Sequence, residues 1–182
     1  MSPVKVAVNG YGVIGKRVAD AVVLHPDMEF VGIADVATDY RVQLAAGRGY
    51  PTYGATPEAV SAMREAGLEP AGGLVDLLRQ VDVVVDAAPK KVGAANKAVY
   101  EAAGVKAIFR GGEKHELAGT SFVAQANHDE AVGRDFVRVV SCNTTGTVRV
   151  LGALKTAGLL ERARVVLMRR GADPWESHTR VG

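Results

Sequence analysis

The sequence predicts an α/β protein built on a doubly wound parallel sheet, and three observations carry that expectation. Short apolar runs alternate with segments of helical spacing along nearly the whole chain. Aromatics are few (5%) while alanine, valine and glycine are many, as suits parallel strands covered on both faces. The first apolar run, residues 4–9, passes through a glycine turn into a helical stretch. With the next apolar run it makes a strand–helix–strand unit of about thirty residues, the size a right-handed crossover needs.

Each element has its own signal. After the strand over 4–9, helical spacing runs over 16–24 with Val18, Val22 and Val23 inward, and Pro26-Asp27 ends it. A second strand over 29–34 closes on Asp35. A short helix is expected over 39–46, then a glycine-rich stretch over 47–56 with a short strand and a turn. Thr56-Pro57-Glu58 opens the next helix, threonine as cap and proline in the first turn, and Gly67 stops it. Gly72-Gly73 precedes a shorter helix over 74–79. The run DVVVDA over 82–87 is the clearest strand, broken by Pro89.

Residues 92–103 are helical, with Gly104 as C-cap, and 105–109 form the next strand. A short strand is expected over 121–124, and Asn127 should cap a brief helix reaching Val132. A strand over 136–140, a helix over 147–157 and a last strand over 163–169 complete the pattern. Residues 171–182 are polar, with no visible structure of their own.

The totals exclude several classes. Net charge is +2 with the basic residues scattered, which argues against a nucleic-acid partner. One cysteine in 182 residues forbids an internal disulfide framework and suits a reducing compartment. There is no signal-peptide layout and no apolar run of membrane-spanning length, so a soluble cytoplasmic protein without a membrane partner is expected. His25, His115, His128 and His178 are isolated, which leaves no metal-ligand spacing.

Gly10, Gly12 and Gly15 form G-x-G-x-x-G between the first strand and the first helix. The first glycine permits a sharp turn, the second a close backbone approach to a pyrophosphate, and the third close helix–strand packing. The phosphates would then rest on helix N-terminal amides. Asp35 stands twenty residues beyond Gly15, where an acid accepts ribose hydroxyls and repels a 2′-phosphate. The expected domain is therefore a Rossmann-type dinucleotide-binding unit that takes NAD or NADP, with NAD favoured by Asp35. A plain strand-end cap is the alternative role for Asp35, and Arg41 stands near enough in sequence to pair with a 2′-phosphate. Ala87-Ala88-Pro89 and Gly111-Gly112 follow strand C-ends, leaving room for the adenosine and nicotinamide portions. Lys90-Lys91 and Glu113-Lys114 read most simply as solvated loop charges.

The lone thiol, Cys142, lies in Ser141-Cys142-Asn143-Thr144-Thr145-Gly146, where a strand meets a helix. The positive end of a helix dipole favours thiolate over thiol, as a nucleophile requires. Ser141, Asn143 and the hydroxyls of Thr144 and Thr145 argue against a purely apolar site and can bind an oxyanion or phosphate. A small buried hydrophobe is the alternative. Because nothing follows a strand over 163–169 to cover it, the expected organisation is a dinucleotide-binding domain over 1–141 and the truncated start of a second α/β domain over 142–182.

With NGYGVIGKRV at 9–18, VVDAAPKKVG at 84–93, GGEK at 111–114, VRVVSCNTTG at 137–146 and RRGADP at 169–174, the chain resembles the archaeal-type (class II) phosphorylating glyceraldehyde-3-phosphate dehydrogenases. The resemblance runs along nearly all of this chain but only the first half of a family member. It implies oxidation of glyceraldehyde 3-phosphate to 1,3-bisphosphoglycerate through a Cys142 thiohemiacetal and thioester, in glycolysis or gluconeogenesis. The partners it implies are a phosphorylated aldehyde, inorganic phosphate and a homotetramer. Val13, Ile14, Gly111, Gly112 and Arg170 would contact the dinucleotide, and Ser141, Cys142, Asn143 and Thr144 the substrate. The family's catalytic histidine belongs to a segment that would follow Gly182, so this chain alone is expected to be incomplete and inactive. Asp35 stands where many NADP-preferring relatives have another residue. Two other readings share these features: a semialdehyde dehydrogenase of the same fold, and a noncatalytic NAD-binding module.

Overall fold

The structure, a computed structural model, describes residues 2–89, 91–110 and 112–168. Its strands are β1 (Val4–Asn9), β2 (Met28–Asp35), β3 (Thr52–Gly54), β4 (Val83–Asp86), β5 (Lys106–Phe109), β6 (Ser121–Phe122) and β7 (Phe136–Val139). Between and after them lie α1 (Val13–Val23), α2 (Tyr40–Gly47), α3 (Pro57–Glu65), α4 (Leu74–Leu78), α5 (Val92–Ala103), α6 (His115–Ala118), α7 (Ala124–Ala131) and α8 (Cys142–Thr156).

All seven strands join one parallel sheet in the order β3-β2-β1-β4-β5-β7-β6. The chain winds outward from β1 through β2 to β3, then returns to β4 and β5, sets β6 at the far edge and inserts β7 between β5 and β6. The crevice between β1 and β4 is therefore the topological switch point, where a parallel sheet opens a binding site at its C-terminal edge.

Alternation along the strands divides the core into two layers. Ala7, Ala34 and Val84 face Leu74, Leu77 and Leu78 of α4 and Tyr100 of α5. Val6, Val8 and Ile33 face Ala19 and Val22 of α1 and Val42 of α2. Leu77 and Leu78 are almost fully buried, each worth roughly 1.5–3 kcal/mol relative to exposure. The second layer stops short: Val83, Ile108, Val137 and Val139 line an open depression of about 290 Å³ beside α7. Among the described residues no helix is long and apolar enough to cross a membrane.

Most elements fall where side-chain pattern puts them, and the departures have local causes. Helix α1 begins at Val13, three residues before its apolar spacing starts, because the glycine turn feeds directly into its first turn. Helix α8 begins at Cys142, not Thr147, because Ser141 caps it and a polar first turn carries no periodicity. Asn127 does not cap a following helix. It lies at a kink inside α7 with φ −149°, and its Oδ1 accepts the Val123 N–H. The four-residue α6 has no apolar pattern and escapes sequence reasoning.

The strand expected over 163–169 is not formed over its described residues, 163–168. Val166 and Met168 are 85% and 94% exposed, and no described strand pairs with the segment. An extended apolar run becomes a strand only when a neighbour accepts its backbone hydrogen bonds. Arg169, Arg170 and the rest of RRGADP lie outside the described residues.

Candidate active site at the C-terminal edge of the sheet

Strand β1 delivers the glycine turn to the switch point, and its three glycines serve different ends. Gly10 has φ +96°, and a Cβ there would lie 2.7 Å from the Ala88 amide nitrogen, so the turn sits flush on the loop after β4. A Cβ on Gly15 would lie 1.8 Å from the Gly10 carbonyl oxygen. Gly12 is different: the nearest atom to an added Cβ is Arg41 Nη1, 3.9 Å away. Protein packing does not demand glycine at that position; its missing side chain leaves backbone open to whatever approaches.

Gly12 is also the N-cap of α1, and α1 has neither a side-chain cap nor an acid in its first turn. Its first amides, Val13 and Ile14 among them, are thus donors without intrahelical acceptors. The turn borders a small cavity of about 140 Å³ lined by Gly12, Val13, Lys16, Arg17, Tyr40 and Arg41. An uncapped eleven-residue helix, open glycine backbone and three cationic side chains fit a pyrophosphate.

Asp35 closes β2 beside this turn. Its Oδ2 accepts the Tyr11 N–H at 2.5 Å and its Oδ1 the Ala37 N–H at 2.8 Å. The carboxylate therefore does cap the strand end, and it ties β2 to the glycine turn. A carboxylate oxygen has two lone pairs, so capacity for a ribose hydroxyl remains. Arg41 is engaged close by: its Nε and Nη2 both donate to the Asp39 carboxylate. That guanidinium holds the Asp39 carboxyl below its usual range, and Asp39 in turn raises Arg41.

Across the crevice, a buried polar cluster that sequence reasoning missed shapes the loop after β4. Asp86 is 1% exposed and accepts from Asn96 Nδ2 at 2.7 Å, the Tyr100 hydroxyl at 2.7 Å and the Ala88 N–H at 3.1 Å. Asn9 Nδ2 donates to the same Tyr100 oxygen at 2.7 Å. Burial first, and then the Asp86 charge, push the Tyr100 phenol far above its ordinary range. The cluster fixes Ala87-Ala88, against which Gly10 rests. Its one sequence signal was an acid ending an otherwise apolar strand.

The loop after β5 corrects another expectation. Lys91 is exposed, but Glu113 is buried and not a solvated loop charge. Its Oε1 accepts the Lys91 N–H at 2.9 Å, at the start of α5. Gly112, immediately before it, is exposed with φ +84°. Gly111 and Lys90 lie outside the described residues.

Cys142 is exposed and is the first residue of α8, a fifteen-residue helix. Ser141 is the N-cap: its Oγ accepts the Thr144 N–H at 3.1 Å and lies 2.9 Å from Thr144 Oγ1. Helix geometry leaves the Cys142 and Asn143 amides without intrahelical acceptors. The thiol is 4.0 Å from Asn143 Oδ1. Because β7 and β1 are parallel, the thiol and the glycine turn emerge on the same edge of the sheet. Three strand spacings separate them, about 14 Å.

No family model matches the chain. Among curated proteins it is 52% identical over 179 residues to a glyceraldehyde-3-phosphate dehydrogenase of Methanococcoides burtonii, covering 98% of this chain and 53% of the relative. It is 55% identical to that of Thermococcus kodakarensis over 96% of this chain and 52% of the relative. For that of Archaeoglobus fulgidus the identity is 55%, over 97% and 52%. The chain thus spans about half the length of the curated relatives it matches. Two solved structures share the fold at low identity. An aspartate semialdehyde dehydrogenase with NADP from Candida albicans gives a TM-score of 0.60 at 17% identity, covering 87% of this chain and 48% of that one. Aspartate semialdehyde dehydrogenase II from Vibrio cholerae gives 0.59 at 15%, covering 86% and 47%.

Proposed function

We propose that this chain, homologous over nearly its whole length to about half of the archaeal glyceraldehyde-3-phosphate dehydrogenases, supplies the dinucleotide site and the nucleophile of such an enzyme. The observation that carries the reading is the emergence of an exposed Cys142 and an open, uncapped glycine turn on one edge of one parallel sheet. The identity to relatives of one name favours glyceraldehyde 3-phosphate over a semialdehyde, since likeness to the semialdehyde enzymes extends to fold alone.

In this reading 1–141 is the dinucleotide-binding domain and 142–182 opens the catalytic one. Gly10, Gly12, Val13, Ile14 and Gly15 hold the pyrophosphate, while Gly111, Gly112 and Arg170 complete the cofactor's surroundings. Bound NAD(P) supplies a hydride acceptor at nicotinamide C4. Cys142 Sγ would attack the aldehyde carbon to give a thiohemiacetal; its oxidation, with the hydride going to the bound cofactor and the hydroxyl proton to a base or water, would leave a thioester on the sulfur. Inorganic phosphate then attacks that carbonyl, releasing the acyl phosphate and restoring Cys142. Covalent capture splits one difficult oxidation into two easier steps. Ser141, Asn143 and Thr144 orient the substrate around the sulfur.

NAD is the favoured cofactor: a carboxylate, Asp35, closes β2 beside the glycine turn, and Arg41, the residue that could pair with a 2′-phosphate, is already held by Asp39. A cytoplasmic homotetramer is the expected state. The test is a chimera that continues this chain with the second half of the Thermococcus kodakarensis relative, assayed with glyceraldehyde 3-phosphate, phosphate and NAD(P). Turnover that is lost in Cys142→Ser supports the reading. A folded chimera oxidising aspartate semialdehyde in preference would overturn the substrate assignment.

A further inference from the structure

We infer that Glu113 is a positioning residue for the dinucleotide site, a carboxylate that locks the loop after β5 onto the start of α5. Helix α5 has no side-chain cap of its own and no acid in its first turn. Its N-cap residue, Lys91, is the one described non-glycine residue at positive φ, at +79°. The N–H of this N-cap residue donates to a carboxylate 22 residues away, Glu113 Oε1 at 2.9 Å, the bond that a capping-box acid would otherwise supply from within the helix.

The fit is close. A Cβ on Gly93 would lie 3.0 Å from Glu113 Oε1 and 3.1 Å from its Cγ, so the acid occupies the space that glycine leaves. Two loops are joined by this contact: the one after β4, on which the glycine turn rests, and the one after β5, which carries Gly112 directly before Glu113. Both sit at C-terminal strand ends beside the switch point, on the side toward Cys142. Gly112 is exposed at φ +84°, with open space where a Cβ would stand, and the residue that anchors this stretch is its buried neighbour, Glu113. This inference rests on the dinucleotide reading of that edge.

The experiment titrates the chain as it stands with NADH and NADPH by fluorescence, with melting curves and hydrogen exchange at the Lys91–Gly93 amides. Removing a hydrogen bond to a charged acceptor in Glu113→Ala should weaken binding about tenfold and speed that exchange. Glu113→Gln, whose amide oxygen still accepts the Lys91 N–H, should stay within about threefold of the parent. Glu113→Ala binding as the parent does, Glu113→Gln losing as much as Glu113→Ala, or a Glu113→Ala chain that no longer folds would each overturn the inference. A parent chain that binds neither dinucleotide overturns the underlying reading instead, and this inference with it.

Discussion

Gly15 lies so close to Gly10 that a Cβ on the helix residue would fall 1.8 Å from the turn's carbonyl oxygen, whereas Gly12, between them, meets nothing nearer than 3.9 Å. The contrast separates structure from binding within one motif. Gly15→Ala should prevent α1 from seating on β1 and give a chain without a cooperative melt. Gly12→Ala should melt near the parent temperature yet lose dinucleotide affinity, because its methyl fills the approach to the α1 amides. A thermal melt beside a fluorescence titration checks both. Gly12→Ala with unchanged affinity would remove the turn from the cofactor site.

Asp35 caps the end of β2, and replacing it tests whether it also sets the choice of dinucleotide. In Asp35→Ala the Tyr11 and Ala37 amides lose their acceptor, at a cost of about 1–3 kcal/mol if they stay dry. Loss of the negative charge should also narrow the gap between NAD and NADP affinity. Asp39→Ala tests the same balance from the other side: Arg41, freed from its partner, should strengthen NADP binding relative to NAD. Isothermal titration with each dinucleotide measures the two ratios, and unchanged ratios in both variants would take specificity away from this corner.

Tyr100 predicts a pH dependence. Its phenol is held far above the ordinary value near 10 by burial and by Asp86. A raised folded value means that this stabilisation is complete below about pH 10 and fades as pH climbs above it, since the unfolded chain then releases a proton the folded chain keeps. Tyr100→Phe should cost about 1–3 kcal/mol at neutral pH by removing one of the three donors to Asp86 and the acceptor of Asn9 Nδ2. It should also flatten the alkaline limb of the stability curve. Urea melts from pH 7 to 11 on both proteins decide the matter.

Cys142 is exposed at a helix start, so iodoacetamide should label it in the folded chain without denaturant, as mass spectrometry would show. In the chimera, Cys142→Ser should abolish the covalent acyl intermediate and leave dinucleotide affinity within about twofold, because the cavity at the glycine turn is not lined by Cys142. A serine variant that kept normal turnover would refute the nucleophile assignment.

Much of this was legible in the chain. Residues 82–87 announced a strand because three successive β-branched residues favour extended backbone, and Thr56-Pro57 marked a helix start that the structure repeats to the residue. Sequence was less informative where polar residues carry the structure. The first turn of α8 hides behind Ser141-Cys142-Asn143-Thr144, and Glu113 looks like any loop acid until the Lys91 amide is found beside it. The strand expected at the end of the described residues failed for a related reason: apolar pattern proposes a strand, and only a neighbouring strand can satisfy it.

Local chemistry was enough to establish alternating strands and helices, a glycine turn between the first pair, and a lone thiol at a later strand–helix junction. Each depends on residues within one turn of one another, where spacing and backbone freedom dictate the outcome. The winding order, the single edge shared by thiol and turn, and the buried Asp86 and Glu113 contacts were decided by tertiary structure alone. They depend on which distant groups meet away from water, and no local pattern encodes the partner that a buried charge will find.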